Sequence, residues 1–368
     1  MQSRTLLLLV IVISSAGFVF LIFFSEQKYD LSKQIIDECN LDVDCGVGAL
    51  LKISKTNDEK IVLDSFHELM SHYQKNVSYC HEYAHHLGVF LYYYYEDYEK
   101  ALSIADDTCG GAMYHGVVES HFIKFENPDI VNIAEMCKKF PRQLDRENLE
   151  CVHGMGHALF SVYDDVFIAI DRCGDFTSIF EMDRCSSGVF MENVQKQLRL
   201  NFVDFKENEI HYPCNSVSEE FVRGCYQQQA FYIIHQSNNS ASQSFGVCDV
   251  LTREEKNYCY QGLGLYISGN NLDDIKRING LCELGDKEYQ PQCILGAALD
   301  LADDKNIDQG FELCKISQDY SKEACYDALG KWTKMLYDLE IEIEKQCSEA
   351  ENSKYFNVCL DASLDSMF

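Results

Sequence analysis

The chain has 368 residues, with 31 Lys and Arg against 59 Asp and Glu, a formal net charge of −28. Phosphate recognition needs clustered cations, and no basic stripe is visible, so a nucleic-acid partner is excluded. Hydrophobic residues make up 46% of the chain and only four are proline, which gives material for a folded core.

The first feature in chain order is the uncharged run Thr5 to Phe24, TLLLLVIVISSAGFVFLIFF. At 1.5 Å per residue its length matches a bilayer core of roughly 30 Å. Its apolar character continues past the small residues Ser14-Ser15-Ala16, so it reads as an uncleaved signal anchor rather than a signal peptide. All 18 cysteines follow residue 38 and their number is even. That is the usage expected of a disulfide-bonded domain in an oxidising space. The expectation is a membrane-anchored, extracytoplasmic protein with a cytoplasmic N-terminus. Three segments are expected: 1–26 as anchor, 27–205 as His-rich repeats and 206–368 as His-poor repeats.

A repeat is written in the cysteines. One series runs 214, 248, 282, 314, 347 and a second runs 225, 259, 293, 325, 359, so the period is about 34 residues. Between them, apolar residues recur at helical spacing and are broken by polar or Gly/Asn steps such as Gly269-Asn270-Asn271. Each unit reads as helix A, a tight turn, helix B and a loop whose ends are tied together. The pairs that follow are Cys214–Cys225, Cys248–Cys259, Cys282–Cys293, Cys314–Cys325 and Cys347–Cys359. Working backwards, the same grammar gives Cys137–Cys151, Cys173–Cys185, Cys80–Cys109 and Cys39–Cys45.

The stretch GLGLYISGNNLDDI at 262–275 resembles the helical hairpins of Sel1-like and tetratricopeptide repeats, including secreted forms stapled by disulfides. The loop cysteine spacing departs from the secreted Sel1-like form, so the resemblance implies architecture only. The expected fold is an all-α, right-handed αα-hairpin solenoid of about nine repeats after one transmembrane helix, with a concave face suited to a protein or peptide partner.

Histidine is segregated: nine of eleven lie between residues 67 and 157. After Cys80, Cys109 and Cys151 come the pairs His81/His85, His115/Glu119 and His153/His157, each spaced i, i+4 and so on one helix face. In later repeats these positions hold Gln227/Phe231, Gln261/Leu265 and Leu295/Ala299. Glu192, after Cys185, extends the donor set. An alternative register places Glu82 and His86 on the inner wall instead of His81 and His85. Glycines at 88, 110, 111, 116, 154, 156 and 188 accompany the cluster and read either as close helix packing or as room for a ligand.

These imidazoles and carboxylates suit a divalent transition metal, zinc first and iron or copper next. An enzyme built on them would be a metal-dependent hydrolase or oxidase, with Glu82 and Glu119 as candidate bases. The competing class is a non-catalytic metal-binding or protein-interaction scaffold. A third reading rests on His81-Glu82-Tyr83-Ala84-His85, which resembles the HExxH of zinc peptidases; the match extends to Gly88 and then departs, with Leu91 where a third histidine would stand.

Overall fold

The computed structural model describes residues 31–364 apart from 41, 75–76, 107–108, 126, 139–145, 201–208, 272–273, 304–306 and 338. Two compact units divide at residues 73 and 74. In the first, residues 31–39 (α1) are helical and lead through the disulfide Cys39–Cys45 into α2 (Val43–Ile53), which is followed by α3 (Glu59–Gln74). Asp42 caps α2 by accepting a hydrogen bond from the Cys45 amide at 2.9 Å.

The second unit alternates long and short helices. The long ones are α4 (Val77–Tyr95), α6 (Ala112–Phe122), α8 (Arg146–Tyr163), α10 (Ile179–Leu200), α11 (Val222–Gln236), α13 (Arg253–Gly269), α15 (Gln290–Asp303), α17 (Asp319–Leu336) and α19 (Ser353–Leu364). The short ones are α5 (Tyr98–Ile104), α7 (Ile133–Cys137), α9 (Val166–Cys173), α12 (Ala241–Cys248), α14 (Ile275–Cys282), α16 (Ile307–Ile316) and α18 (Glu340–Cys347). Each long helix packs along the next in chain order, and the short helices pack on the long ones that flank them. This all-α arrangement is compatible with a helical repeat.

The turns show why the hairpins close where they do. Glu96, Asp164 and Asn239 enter the left-handed region at φ of 52°, 53° and 58°, which ends the long helix. The next residue caps the short one: Asp97, Asp165 and Ser240 each accept from backbone amides of its first turn. At their far ends α7, α9, α12, α14, α16 and α18 are each fastened to the following long helix by a disulfide, and a 3-10 turn at Cys214 is fastened to α11 in the same way. The pairs Cys137–Cys151, Cys173–Cys185, Cys214–Cys225, Cys248–Cys259, Cys282–Cys293, Cys314–Cys325 and Cys347–Cys359 are all present. Closing a loop of this size restricts the unfolded chain by about 3 kcal/mol. Cys109 is also disulfide-bonded, whereas the side chain of Cys80, its expected partner, lies outside the described residues.

Glycine sets the distance between neighbouring long helices. A Cβ on Gly88 would stand 2.1 Å from the Met113 carbonyl oxygen, and one on Gly116 only 2.0 Å from that of His85. Gly156 and Gly188 repeat the pattern between α8 and α10, at 2.0 Å from Cys185 and 2.1 Å from His153. Gly264 and Gly296 do the same between α13 and α15, far from any histidine. Close packing is therefore the role of these glycines, and it brings the histidine-bearing backbones together.

The expectation of membrane anchoring is corrected. Among the described residues no helix is long and apolar enough to cross a membrane, and residues 5–24 lie outside them. The disulfides remain compatible with an extracellular location.

Candidate metal centre

Three long helices each bring one imidazole to a common point. His81 comes from α4, His115 from α6 and His157 from α8, and one ring nitrogen of each lies within 4.8 Å of those of the other two. Gly116 against the His85 carbonyl, and Gly154, where a Cβ would stand 2.7 Å from the His115 Cα, let these helices approach closely enough for the rings to meet. His115 and His157 are almost fully buried.

The ring nitrogens divide cleanly into held and unheld. His115 donates from Nε2 to Glu150 Oε2 at 3.0 Å, which leaves Nδ1 as an unprotonated, unpartnered acceptor. His157 donates from Nδ1 to Glu192 Oε2 at 3.0 Å, which leaves Nε2. His81 hydrogen-bonds to the Cys109 backbone, and its Nε2 is buried without a partner. Buried polar atoms are normally satisfied, so unpartnered nitrogens on three rings that meet one another call for a common partner. A carboxylate or carbonyl fixing one nitrogen while the other faces inward is the arrangement that orients histidines on a metal.

Electrostatics favours the neutral, ligand-competent form. Burial, followed by the nearby His157 and His85, lowers His81 to about 3. Burial also drives His115 and His153 well below the usual histidine range, with neighbouring histidines and Arg184 adding to it. No proton need be expelled from these rings at neutral pH before a cation binds.

The outer face of the cluster carries His85, Glu119 and Glu192, each about one-fifth exposed. His85 Nε2 stands 3.0 Å from Glu119 Oε2. Ser161 donates to the other Glu119 oxygen at 2.6 Å. Burial alone would raise the Glu119 carboxyl, but the contacts with His85 and Ser161 prevail and bring it to about 2. A carboxylate held so low is a weak proton acceptor at neutral pH.

The register question is answered by these positions. His81 is in the three-nitrogen group and His85 beside it, whereas His86, its ring 6.4 Å from that of His85, lies outside that group. His153 packs on His115 and His157, with ring centroids 4.8 and 5.0 Å away, and donates to the Arg184 carbonyl at 3.2 Å; it lies outside the three-nitrogen group. The side chain of Glu82 lies outside the described residues. The two histidines of the HExxH stretch separate, one joining His115 and His157 and the other pairing with Glu119.

Two residues were not foreseen. Glu150, almost fully buried, holds His115 with one oxygen and accepts from Arg184 Nη2 with the other at 2.6 Å. They sit immediately before Cys151 and Cys185, and a charged residue at the same place ahead of the helix cysteine in two successive repeats was the available signal. Farther along the stack, amides replace imidazoles: Gln227 donates to Gln261 at 2.9 Å and Gln261 to Gln292 at 2.7 Å.

The metal-free protein is expected to be acid-labile. In the unfolded chain His81 titrates near 6.5, and in the fold near 3, so the unfolded state binds more protons as pH falls. Stability is full above pH 6.5 and declines toward pH 3. The lowered Glu119 acts in the same direction below about 4.5. Denaturation midpoints measured from pH 8 to 3 should fall across that window; a midpoint that stays level down to pH 3 contradicts the buried neutral histidines.

No protein-family model, curated protein or solved structure matches this chain.

Proposed function

We propose that this chain is a metal-binding helical-repeat protein holding one divalent transition metal on His81, His115 and His157. The observation that carries the reading is that one nitrogen of each of these three rings lies within 4.8 Å of those of the other two, while each ring has one nitrogen held by an outer partner and the other buried without one. Three neutral imidazoles suit zinc best, with iron or copper as weaker fits. Zinc with four tetrahedral ligands would draw the three nitrogens to about 3.3 Å apart, from the Zn–N bond length of about 2.05 Å.

We take the site to be catalytic in kind and hydrolytic in chemistry. Three protein ligands leave zinc a fourth position for water, as catalytic rather than structural zinc sites do. The partly exposed side bearing His85 and Glu119 gives that position its access to solvent. The surrounding stack fits a right-handed αα-hairpin solenoid of the Sel1-like or tetratricopeptide kind, whose histidine-free end is free to serve a protein or peptide partner.

Equilibrium dialysis of the purified chain against zinc, followed by elemental analysis, tests the binding. Zinc should be retained by the wild type and lost from the three-histidine position in His157→Ala, with circular dichroism unchanged. A wild type that retains no metal would sink the reading.

A further inference from the structure

The pair His85 and Glu119 remains unexplained by a single three-histidine ion. We infer that these two side chains hold a second divalent cation beside the first, so that the centre is dinuclear. This rests on the three-histidine reading and extends it outward.

The geometry suits two ligands of one cation. His85 Nε2 and Glu119 Oε2 are 3.0 Å apart, and the histidine nitrogen is buried. Two adjacent ligands on an octahedral cation with bonds of about 2.1 Å stand about 3.0 Å apart by the same right-angle geometry. The carboxylate is already oriented for the task, because Ser161 occupies its other oxygen. An outer hydroxyl on a ligating carboxylate plays the part that Glu150 plays for His115.

The placement follows from the helices. His85 is four residues beyond His81 on α4, and Glu119 four beyond His115 on α6, so the second pair lies about 6 Å along the same helices. The His85 ring is 5.8 Å from that of His157 and is not within the compact three-nitrogen group. Glu192 faces the same opening, since its charge acts on both Glu119 and His85.

Charge and donor type agree. The inner position offers three neutral nitrogens and is buried. The outer one offers an imidazole and carboxylates at an edge about one-fifth exposed, where water completes the coordination, a mixed set that zinc or manganese accepts.

The test is metal stoichiometry on the full chain. Protein stripped with a chelator is titrated with zinc, freed of excess ion, and analysed per chain, together with Glu119→Gln. Two zinc ions per chain are expected in the wild type and one in the variant. One ion per wild-type chain overturns the second position and leaves the first intact, and two ions in a folded Glu119→Gln place the second elsewhere and overturn it as well. No ion in either protein fails the three-histidine centre itself. The wild-type count decides the matter even where the variant does not fold.

Discussion

Alanine at position 116 is expected to disrupt the fold and the metal site together. The added Cβ would fall 2.0 Å from the His85 carbonyl oxygen and 2.7 Å from the Val89 nitrogen, both backbone atoms of the neighbouring helix. Neither can turn aside as a flexible side chain would, so α4 and α6 must separate by roughly an ångström or more. Overpacking of this kind costs about 1–3 kcal/mol, and the upper end applies where backbone meets backbone. The separation also moves His81 and His85 away from His115 and Glu119. Chemical denaturation should show a loss of about 3 kcal/mol, and zinc retention should fall at least tenfold. Gly280, with nothing within 4 Å of its Cβ position, is the control: alanine there should leave both unchanged. Equal effects at 116 and 280 would contradict the close-approach account.

Glu150→Gln is expected to weaken metal binding without touching a ligand. Glu150 accepts from His115 Nε2 at 3.0 Å and from Arg184 Nη2 at 2.6 Å, and its side chain is 1% exposed. Its negative charge selects the His115 tautomer that leaves Nδ1 for the cation. Glutamine has the same shape but carries an amide that can present either a donor or an acceptor, so the tautomer is no longer fixed. Loss of such an outer partner lowers metal affinity about 10- to 100-fold. Arg184, about one-quarter exposed, also loses its buried counterion. Removing one partner of a buried pair typically destabilises by about 3–5 kcal/mol, and the partial exposure of Arg184 puts the expectation at or below the lower value. Competition of the variant against a chelator, alongside a denaturant melt, measures both. Unchanged zinc affinity would contradict the outer-partner role.

The cysteine period made the stack legible before any coordinates, because a disulfide that closes each loop must recur with the repeat. It marked the long helices, the loop pairs and the i, i+4 histidines. Which of two adjacent faces turns inward was beyond it: His81/His85 and Glu82/His86 differ by one residue, or 100° of helix, and only the packing of α4 on α6 separates them. The glycines were ambiguous for the same reason, since a missing side chain fits a close backbone and an open cavity equally well. Glu150 and Arg184 escaped notice because their partners, His115 and Glu150, are 35 and 34 residues away and on a different helix. Membrane anchoring was read from a segment outside the described residues, and no described helix supports it.

The central claim is that three imidazoles from three successive helices converge on one cation. X-ray absorption at the zinc edge of the Glu119→Gln protein loaded with one equivalent of zinc tests it most directly. The account expects a first shell of three imidazole nitrogens and an oxygen at about 2.0–2.1 Å with no sulfur. A shell containing sulfur near 2.3 Å, or one with fewer than three imidazoles, would contradict it.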